Sequence, residues 1–307
     1  MAGLAVLADW LGSNTDYFTY RAEPENPLPL RAYWAHAKEQ AAIALHHSGV
    51  LPLHDGGALP FESLFPRITT PSPLQSWAAT TEISHGPQIY LLEDVTGAGK
   101  TEAAVLLAHR LMTRGQADGF FIGLPTMATA NAMYDRIAHV YARLFAGNAS
   151  LVLAHGQRNL VEAFAESVIP SGPTADDDLQ LDETASVRCS AWLADHNKRA
   201  LMAPAGVGTI DQALLAVLHS RHQSLRLLGL FRKVLVVDEV HACDAYMQGI
   251  LENLLVFHAA AGGSAILVSA TLPQRMKQAL LRAFALGCHS DAPVLASQSA
   301  FPLVTSW

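Results

Sequence analysis

The sequence predicts an α/β domain, with a parallel sheet covered by helices, preceded by a small all-helical segment. Three observations carry this. From Gln88 onward, short apolar runs alternate with longer stretches of helical periodicity, the pattern of repeated strand–helix units. Half of the residues are hydrophobic and only 15% are charged, so a sheet buried on both faces is easily supplied with a core. Residues 1 to about 55 read as helical, and Asp55-Gly56-Gly57 with prolines at 66, 71 and 73 separate them from the rest of the chain.

Leu4 to Leu11 opens the chain as an apolar helical segment. A second helix is expected from about Leu30 to His47, with Trp34, Ala37, Ala41, Ile43 and Leu45 on its buried side. Pro24, Pro27 and Pro29 mark the irregular stretch between them. Ile89-Tyr90-Leu91-Leu92 is the first strand candidate, followed by a helix from Lys100 to Met112. Gly119 to Leu124 is the second, followed by a helix from about Ala128 to Phe145, and Leu151-Val152-Leu153 is the third. Asp176-Asp177-Asp178 and Asp182-Glu183 then fall among Ser, Thr, Pro and Gly and read as a solvated loop. Ala200 to Ala203 is expected as a strand and Asp211 to His219 as a helix. Val234 to Val237 is the plainest strand in the sequence. A helix from Ala245 to Ala260, the strand Ala265 to Ser269 and a helix from Gln274 to Phe284 complete the pattern. No internal repeat is visible.

The length of 307 residues leaves room for roughly two domains. The longest apolar stretch, Ile250 to Leu272, is interrupted by Glu252, Asn253, His258 and Gly262-Gly263, so it reads as a helix and a strand and no membrane partner is expected. Met1 to Leu11 lacks a basic region and a small-residue cleavage site, so no secretory signal is expected. Cys189, Cys243 and Cys288 form no CxxC pair, which fits reduced thiols in a cytoplasmic protein. A net charge of −7 argues mildly against a nucleic-acid partner. Much of that acidity sits in the one loop, however, and Lys198-Arg199, Arg221, Arg226 and Arg232-Lys233 lie elsewhere.

Asp94-Val95-Thr96-Gly97-Ala98-Gly99-Lys100-Thr101 follows a strand and opens a helix, the setting of a phosphate-binding loop. Glycines at 97 and 99 let backbone N–H groups approach phosphate oxygens, and the helix N-terminus adds a favourable dipole. Lys100 is placed to contact the β- and γ-phosphates of ATP, and the Thr101 hydroxyl to bind magnesium. Asp94 stands where the loop consensus has its first glycine, and a carboxylate there is expected to weaken binding.

Asp238-Glu239-Val240-His241 ends the strongest strand, and the carboxyl ends of parallel strands are where such sheets bind ligands. Asp238 suits the magnesium shell, Glu239 the orientation or deprotonation of the attacking water, and His241 the coupling of nucleotide state to a neighbouring lobe. Ser269-Ala270-Thr271 follows the next strand. Small hydroxyl residues commonly cap helices. In third place after a P-loop and a DExH box, Ser269 and Thr271 match the helicase element that links hydrolysis to strand movement.

With those motifs in order, Val207 to Leu214, Leu225 to Leu230 and Lys233 to Met247 resemble the CRISPR-associated helicase–nuclease of type I systems, a superfamily 2 DExH helicase. Gly123 to Asn131 resembles that family's second motif, and Phe65 with Pro73-Leu74-Gln75 its adenine-reading Q motif. The resemblance covers about residues 60–305 closely. It implies a RecA-like P-loop lobe over residues 86–290, a linker with the Q-motif-like segment over 56–85, and a linker toward a second lobe over 291–307. The nucleotide contacts it implies come from Gln75, Thr96, Gly97, Ala98, Gly99, Lys100 and Thr101, with ATP and magnesium as cofactors. Contacts to a single-stranded DNA backbone are expected from Pro125, Thr126, Gly208 and Thr209. Pro125-Thr126 also reads as a helix start, and Gln75 as an ordinary polar loop residue.

Gly3 to Ser13 resembles the closing helix of the same family's metal-dependent HD nuclease domain, which makes residues 1–55 its remnant. The aspartate matching Asp9 belongs to that metal site. The histidines preceding it in the family have no counterpart, and His46-His47 follow Asp9, so neither nuclease activity nor a bound transition metal is expected. The chain is expected to be the middle of a longer protein, without the second RecA-like lobe and its arginine finger. The resemblance implies ATP-driven movement along single-stranded DNA and degradation of invading DNA after recruitment by a crRNA-guided surveillance complex. Two other readings stay open: a nucleotide-binding module that does not hydrolyse efficiently, and a P-loop phosphotransferase such as a small-molecule kinase. The order of DExH box and Ser-Ala-Thr speaks against the kinase.

Overall fold

In the computed structural model, residues 1–19, 29–52, 57–145, 149–155, 168–169, 189–190, 193, 197–220, 222–295 and 300–307 are described. Their strands are β1 (Ile89–Glu93), β2 (Gly119–Leu124), β3 (Leu151–Ala154), β4 (Val168–Ile169), β5 (Cys189–Ser190), β6 (Ala205–Thr209), β7 (Lys233–Val237), β8 (Ala265–Ser269) and β9 (Leu303–Ser306). Seven of them form one sheet in the order β3-β6-β2-β7-β8-β1-β9, and β4 and β5 pair by themselves. Six strands of the large sheet run parallel, and β9 joins antiparallel to β1. All residues of β1, β2, β3, β6, β7 and β8 are buried, as strands of a parallel sheet covered on both faces are.

The helices are α1 (Ala2–Gly12), α2 (Leu30–Ser48), α3 (Phe61–Leu64), α4 (Pro73–Thr80), α5 (Lys100–Thr113), α6 (Met127–Leu144), α7 (Asn197–Ala200), α8 (Ile210–Leu214), α9 (Gln223–Leu230), α10 (Ala245–Ala260) and α11 (Gln274–Gly287). α5 and α6 connect strands in one direction across the sheet, whereas α8 with α9, and then α10, connect them in the other. Right-handed crossovers therefore put the two groups on opposite faces. α4 packs on α5 and α3 on α6, while α10 packs on α11 and α1 on α9. The α1 contact is close: a Cβ on Gly3 would lie 2.3 Å from the Ser224 carbonyl oxygen. Trp10 completes it, with its ring 4.8 Å from that of His222 and the Arg199 guanidinium 5.1 Å above it.

Three expectations are corrected. Trp34, Ile43 and Leu45 of α2 are exposed, Ala37 and Ala41 are half-buried, and the residues this helix buries are Ala44 and Ser48. Periodicity identified an apolar face but not which edge of the helix meets a neighbour. Ala200 to Ala203 is not a strand: it ends α7 and turns, and the carbonyls of Leu201 and Ala203 accept from the buried Lys233 ammonium instead of a strand partner. The strand is Ala205–Thr209, whose small residues fit its neighbours. A Cβ on Gly206 would lie 2.8 Å from the Phe121 ring, and one on Gly208 2.2 Å from the Ala154 carbonyl oxygen. The helix expected over Asp211 to His219 runs only over Ile210–Leu214. Beyond it the Ala216 amide turns to Ala213, and buried Arg226 takes the Gln212 carbonyl that a longer helix would use.

Elements also appear where connections were expected. Residues 56–85 hold α3 and α4, and residues 291–307 supply β9. The acidic residues 176–178, 182 and 183 lie outside the described residues, as do Pro24, Pro27 and Arg221. Among the described residues no helix is long and apolar enough to cross a membrane.

Candidate nucleotide-binding site

The carboxyl ends of β1 and β7 open onto a cleft of about 490 Å³, within the size range of small-molecule sites. It is lined by the loop Thr96 to Thr101, by Gln75 from α4, and by Asp238 and Glu239 after β7. Ile68, Thr70, Ser72, Glu102 and Arg136 complete the wall. The sheet order explains the meeting of residues distant in sequence, because only β8 stands between β1 and β7.

The loop turns through two left-handed glycines, Gly97 at φ 83° and Gly99 at φ 78°. Gly99 is also closed on by Gln75: a Cβ there would lie 1.9 Å from the Gln75 side-chain nitrogen. That nitrogen donates to the Gly99 carbonyl at 3.3 Å, while Gln75 Oε1 accepts from the Ser72 amide at 2.9 Å. The Gln75 amide donates to the Ser72 hydroxyl, so the two residues cap α4 reciprocally and aim the glutamine at the loop. Lys100 is buried and its ammonium donates to the carbonyls of Asp94 (2.7 Å) and Val95 (2.8 Å). The Asp94 carboxylate, expected near the phosphates, turns back to accept from the Val95 amide at 2.8 Å and does not line the cleft.

Across the cleft, Asp238 Oδ1 accepts from the Glu239 amide at 2.9 Å. Burial pushes the Asp238 carboxyl above the ordinary aspartate range, and the charge of Glu239 adds to the rise. The Glu239 amide, Lys100 and Arg136 pull in the opposite sense. Glu239 sits at φ 53°, left-handed backbone that is unfavourable for a residue with a Cβ and directs its side chain into the cleft. His241 Nδ1 lies 3.2 Å from Glu239 Oε2 and 2.9 Å from the Ser269 hydroxyl, and that hydroxyl donates to the Thr271 carbonyl. Thr101 and Asp238 line one cleft and offer a hydroxyl and a carboxylate, hard oxygen donors of the kind magnesium takes.

The other expected sites are placed differently. β2 and β6 are neighbours, with Gly123 opposite Gly208 and Leu124 opposite Thr209. Pro125-Thr126 and Gly208-Thr209 therefore come together, on the half of the sheet away from the P-loop. Thr126 is exposed and its hydroxyl caps α6 by accepting from the Thr129 amide, whereas Thr209 is buried. Asp9 is exposed, and no cluster of three or more metal-ligating side chains occurs among the described residues. Phe65 packs against Phe61 with ring centroids 5.0 Å apart and is not part of the cleft wall.

Sequence reasoning missed Ser72, although Ser-x-x-Gln is a capping-box signal legible at 72–75. It also missed Arg136, which pairs with Glu102 at 2.6 Å on the rim. Nothing in the sequence ties those two, since they meet only when α5 and α6 lie on one face.

No family model matches the chain. It is 38% identical over 310 residues to the CRISPR-associated endonuclease/helicase Cas3 of Escherichia coli K12, a match spanning 99% of this chain and 33% of that protein. To the Cas3 of Thermus thermophilus it is 39% identical over 285 residues, spanning 92% of this chain and 30% of the other. The crystal structure of T. fusca Cas3 with ADP superposes with a TM-score of 0.83 at 33% identity, covering 99% of this chain and 34% of that one. A chain of a CRISPR RNA-guided surveillance complex at a pre-nicking stage superposes at 0.59 with 28% identity, covering 99% of this chain and 30% of that one. The chain thus spans about a third of the length of the relatives it matches. By sequence and by fold, it belongs with the CRISPR-associated endonuclease/helicase Cas3 proteins.

Proposed function

We propose that this chain is the ATP-binding lobe of a single-stranded-DNA translocase acting in CRISPR antiviral defence with a crRNA-guided surveillance complex. The observation that carries the proposal is the single cleft joining Gln75, the loop Thr96 to Thr101, Asp238 and Glu239. The loop amides and Lys100 bind the phosphates, with Lys100 exchanging the carbonyls of Asp94 and Val95 for phosphate oxygens. Gln75 reads adenine from its seat beside Gly99. Thr101 and Asp238 would hold magnesium, which would supply charge neutralisation at the phosphates. Glu239 orients water for attack on the γ-phosphate and receives its proton. His241 and Ser269 pass the outcome to the strand-moving segment. Relatives of similar fold crystallised with ADP and with AMPPNP support the nucleotide reading.

The single-stranded DNA path follows the carboxyl ends of β2 and β6, with Pro125 and Thr126 against the backbone and the buried Gly208 and Thr209 supporting them from behind. In motors of this kind a second RecA-like lobe supplies an arginine finger worth ~10³–10⁵ in rate, so hydrolysis measured without such a lobe is expected to be slow. The test is ATP hydrolysis with and without single-stranded DNA, alone and with a separately expressed second lobe. DNA-stimulated turnover appearing with the second lobe supports the motor reading. Binding without turnover under every condition favours a nucleotide-binding module. Phosphoryl transfer to a small acceptor, indifferent to DNA, favours a kinase.

A further inference from the structure

Glu93 ends β1 and is 1% exposed, one residue before the phosphate-binding loop. Its two oxygens have different partners. Oε1 accepts from the Leu272 amide at 2.8 Å, and Oε2 pairs with Lys277 Nζ of α11 at 2.9 Å. Leu272 directly follows Ser269-Ala270-Thr271. Glu93 is itself opposite Ser269 in the parallel register, and the Asp94 amide points at the Ser269 carbonyl, 3.4 Å away. The carboxylate therefore joins the base of the phosphate-binding loop to the far end of the Ser-Ala-Thr segment. Lys277, 5% exposed, anchors it from the opposite layer of helices. Glu93 does not line the cleft, so it does not touch a ligand there.

Stability alone is a poor reason for this arrangement. Burying two charges costs desolvation that their attraction only partly recovers, and a well-packed apolar pair in the same space is often as stable or more so. An apolar pair cannot hold the Leu272 amide in direction. We propose that Glu93 is a positioning residue, through which a change at the phosphate-binding loop is transmitted to Ser269-Ala270-Thr271. The inference rests on the reading of the cleft as an ATP site.

The test is amide hydrogen exchange over residues 270–272 in the 307-residue chain with and without MgATP, beside an ATP affinity and a melting temperature. Three proteins are compared: wild type, Glu93→Leu/Lys277→Met, and Glu93→Gln. The double variant removes both charges and so avoids leaving one buried unpaired. Wild type is expected to show slower exchange at 270–272 on binding ATP, by about fivefold, the size of one hydrogen bond. The double variant is expected to bind ATP and lose that response. Glu93→Gln, which keeps an acceptor for the Leu272 amide, is expected to retain part of it. A double variant that keeps the full response overturns the proposal, whatever its melting temperature. So does a wild type that binds ATP with no change at 270–272. A wild type that binds no ATP instead removes the reading of the cleft, and this is seen before any variant is compared.

Discussion

His241 Nδ1 lies 2.9 Å from the Ser269 hydroxyl oxygen and 3.2 Å from Glu239 Oε2, so one imidazole nitrogen stands between the ends of two neighbouring strands. Ser269→Ala removes one of those partners and leaves the cleft lining unchanged. ATP affinity is expected to stay within about twofold, while DNA-stimulated hydrolysis measured with a second lobe falls by roughly fivefold, one hydrogen bond's worth. Equal loss in affinity and rate would mean that the serine acts on the cleft itself.

Gly99→Ala tests the contact between the loop and Gln75. The alanine would sit at φ 78° with its Cβ 1.9 Å from the Gln75 side-chain nitrogen. The left-handed backbone alone costs about 1–2 kcal/mol, and displacing Gln75 also breaks its bond to the Gly99 carbonyl. A lower melting temperature and weaker ATP binding are expected together. Wild-type values for both would show that the glutamine yields freely.

The residues that line the cleft and most of the sheet were legible because their signals are local. Val234 to Val237 is aliphatic without interruption, and Gly97, Gly99 and Lys100 have one chemical use at a strand-to-helix turn. What escaped depends on partners far along the chain. β6 is built from Ala, Gly, Val, Gly and Thr because Phe121 and Ala154 leave no room for larger side chains, so a search for bulky apolar runs favours Ala200 to Ala203 instead. Glu93, just past the expected strand Ile89 to Leu92, carried no signal of its own, and its partner Lys277 is 184 residues away. Trp34 on α2 shows the converse: an apolar face in the sequence that is exposed in the structure.

Asp238→Asn separates charge from shape. Burial raises the Asp238 carboxyl, so the folded state holds its proton more tightly than the unfolded chain does. That contribution to stability is complete below the ordinary aspartate value and is lost as pH rises through the raised one. At pH 7 the native carboxylate is therefore a cost, which the asparagine removes. The variant is expected to melt at the same temperature as wild type or higher, and to lose the dependence of ATP binding on magnesium. A large fall in melting temperature would contradict this account of the site.

His258 is fully buried, and desolvation lowers it to about 4, with Nε2 3.0 Å from the Ser264 carbonyl oxygen. Its neutral form is favoured in the fold and its charged form in the unfolded chain below about pH 6.5. Stability is therefore lost as pH falls from about 6.5 toward 4, by about 3 kcal/mol from this group. His258→Gln should flatten that part of the pH–stability curve in denaturant titrations. A curve of unchanged slope would mean that the histidine is not buried neutral.

The most direct test of the central claim is equilibrium binding of MgATP to the 307-residue chain beside Lys100→Ala. Wild type is expected to bind ATP and to melt at a higher temperature in its presence. The variant is expected to bind at least about tenfold more weakly, since it lacks the ammonium proposed to make charge-assisted bonds to the phosphates. Equal binding by the two proteins, or none by wild type, would contradict the assignment of this cleft as an ATP site.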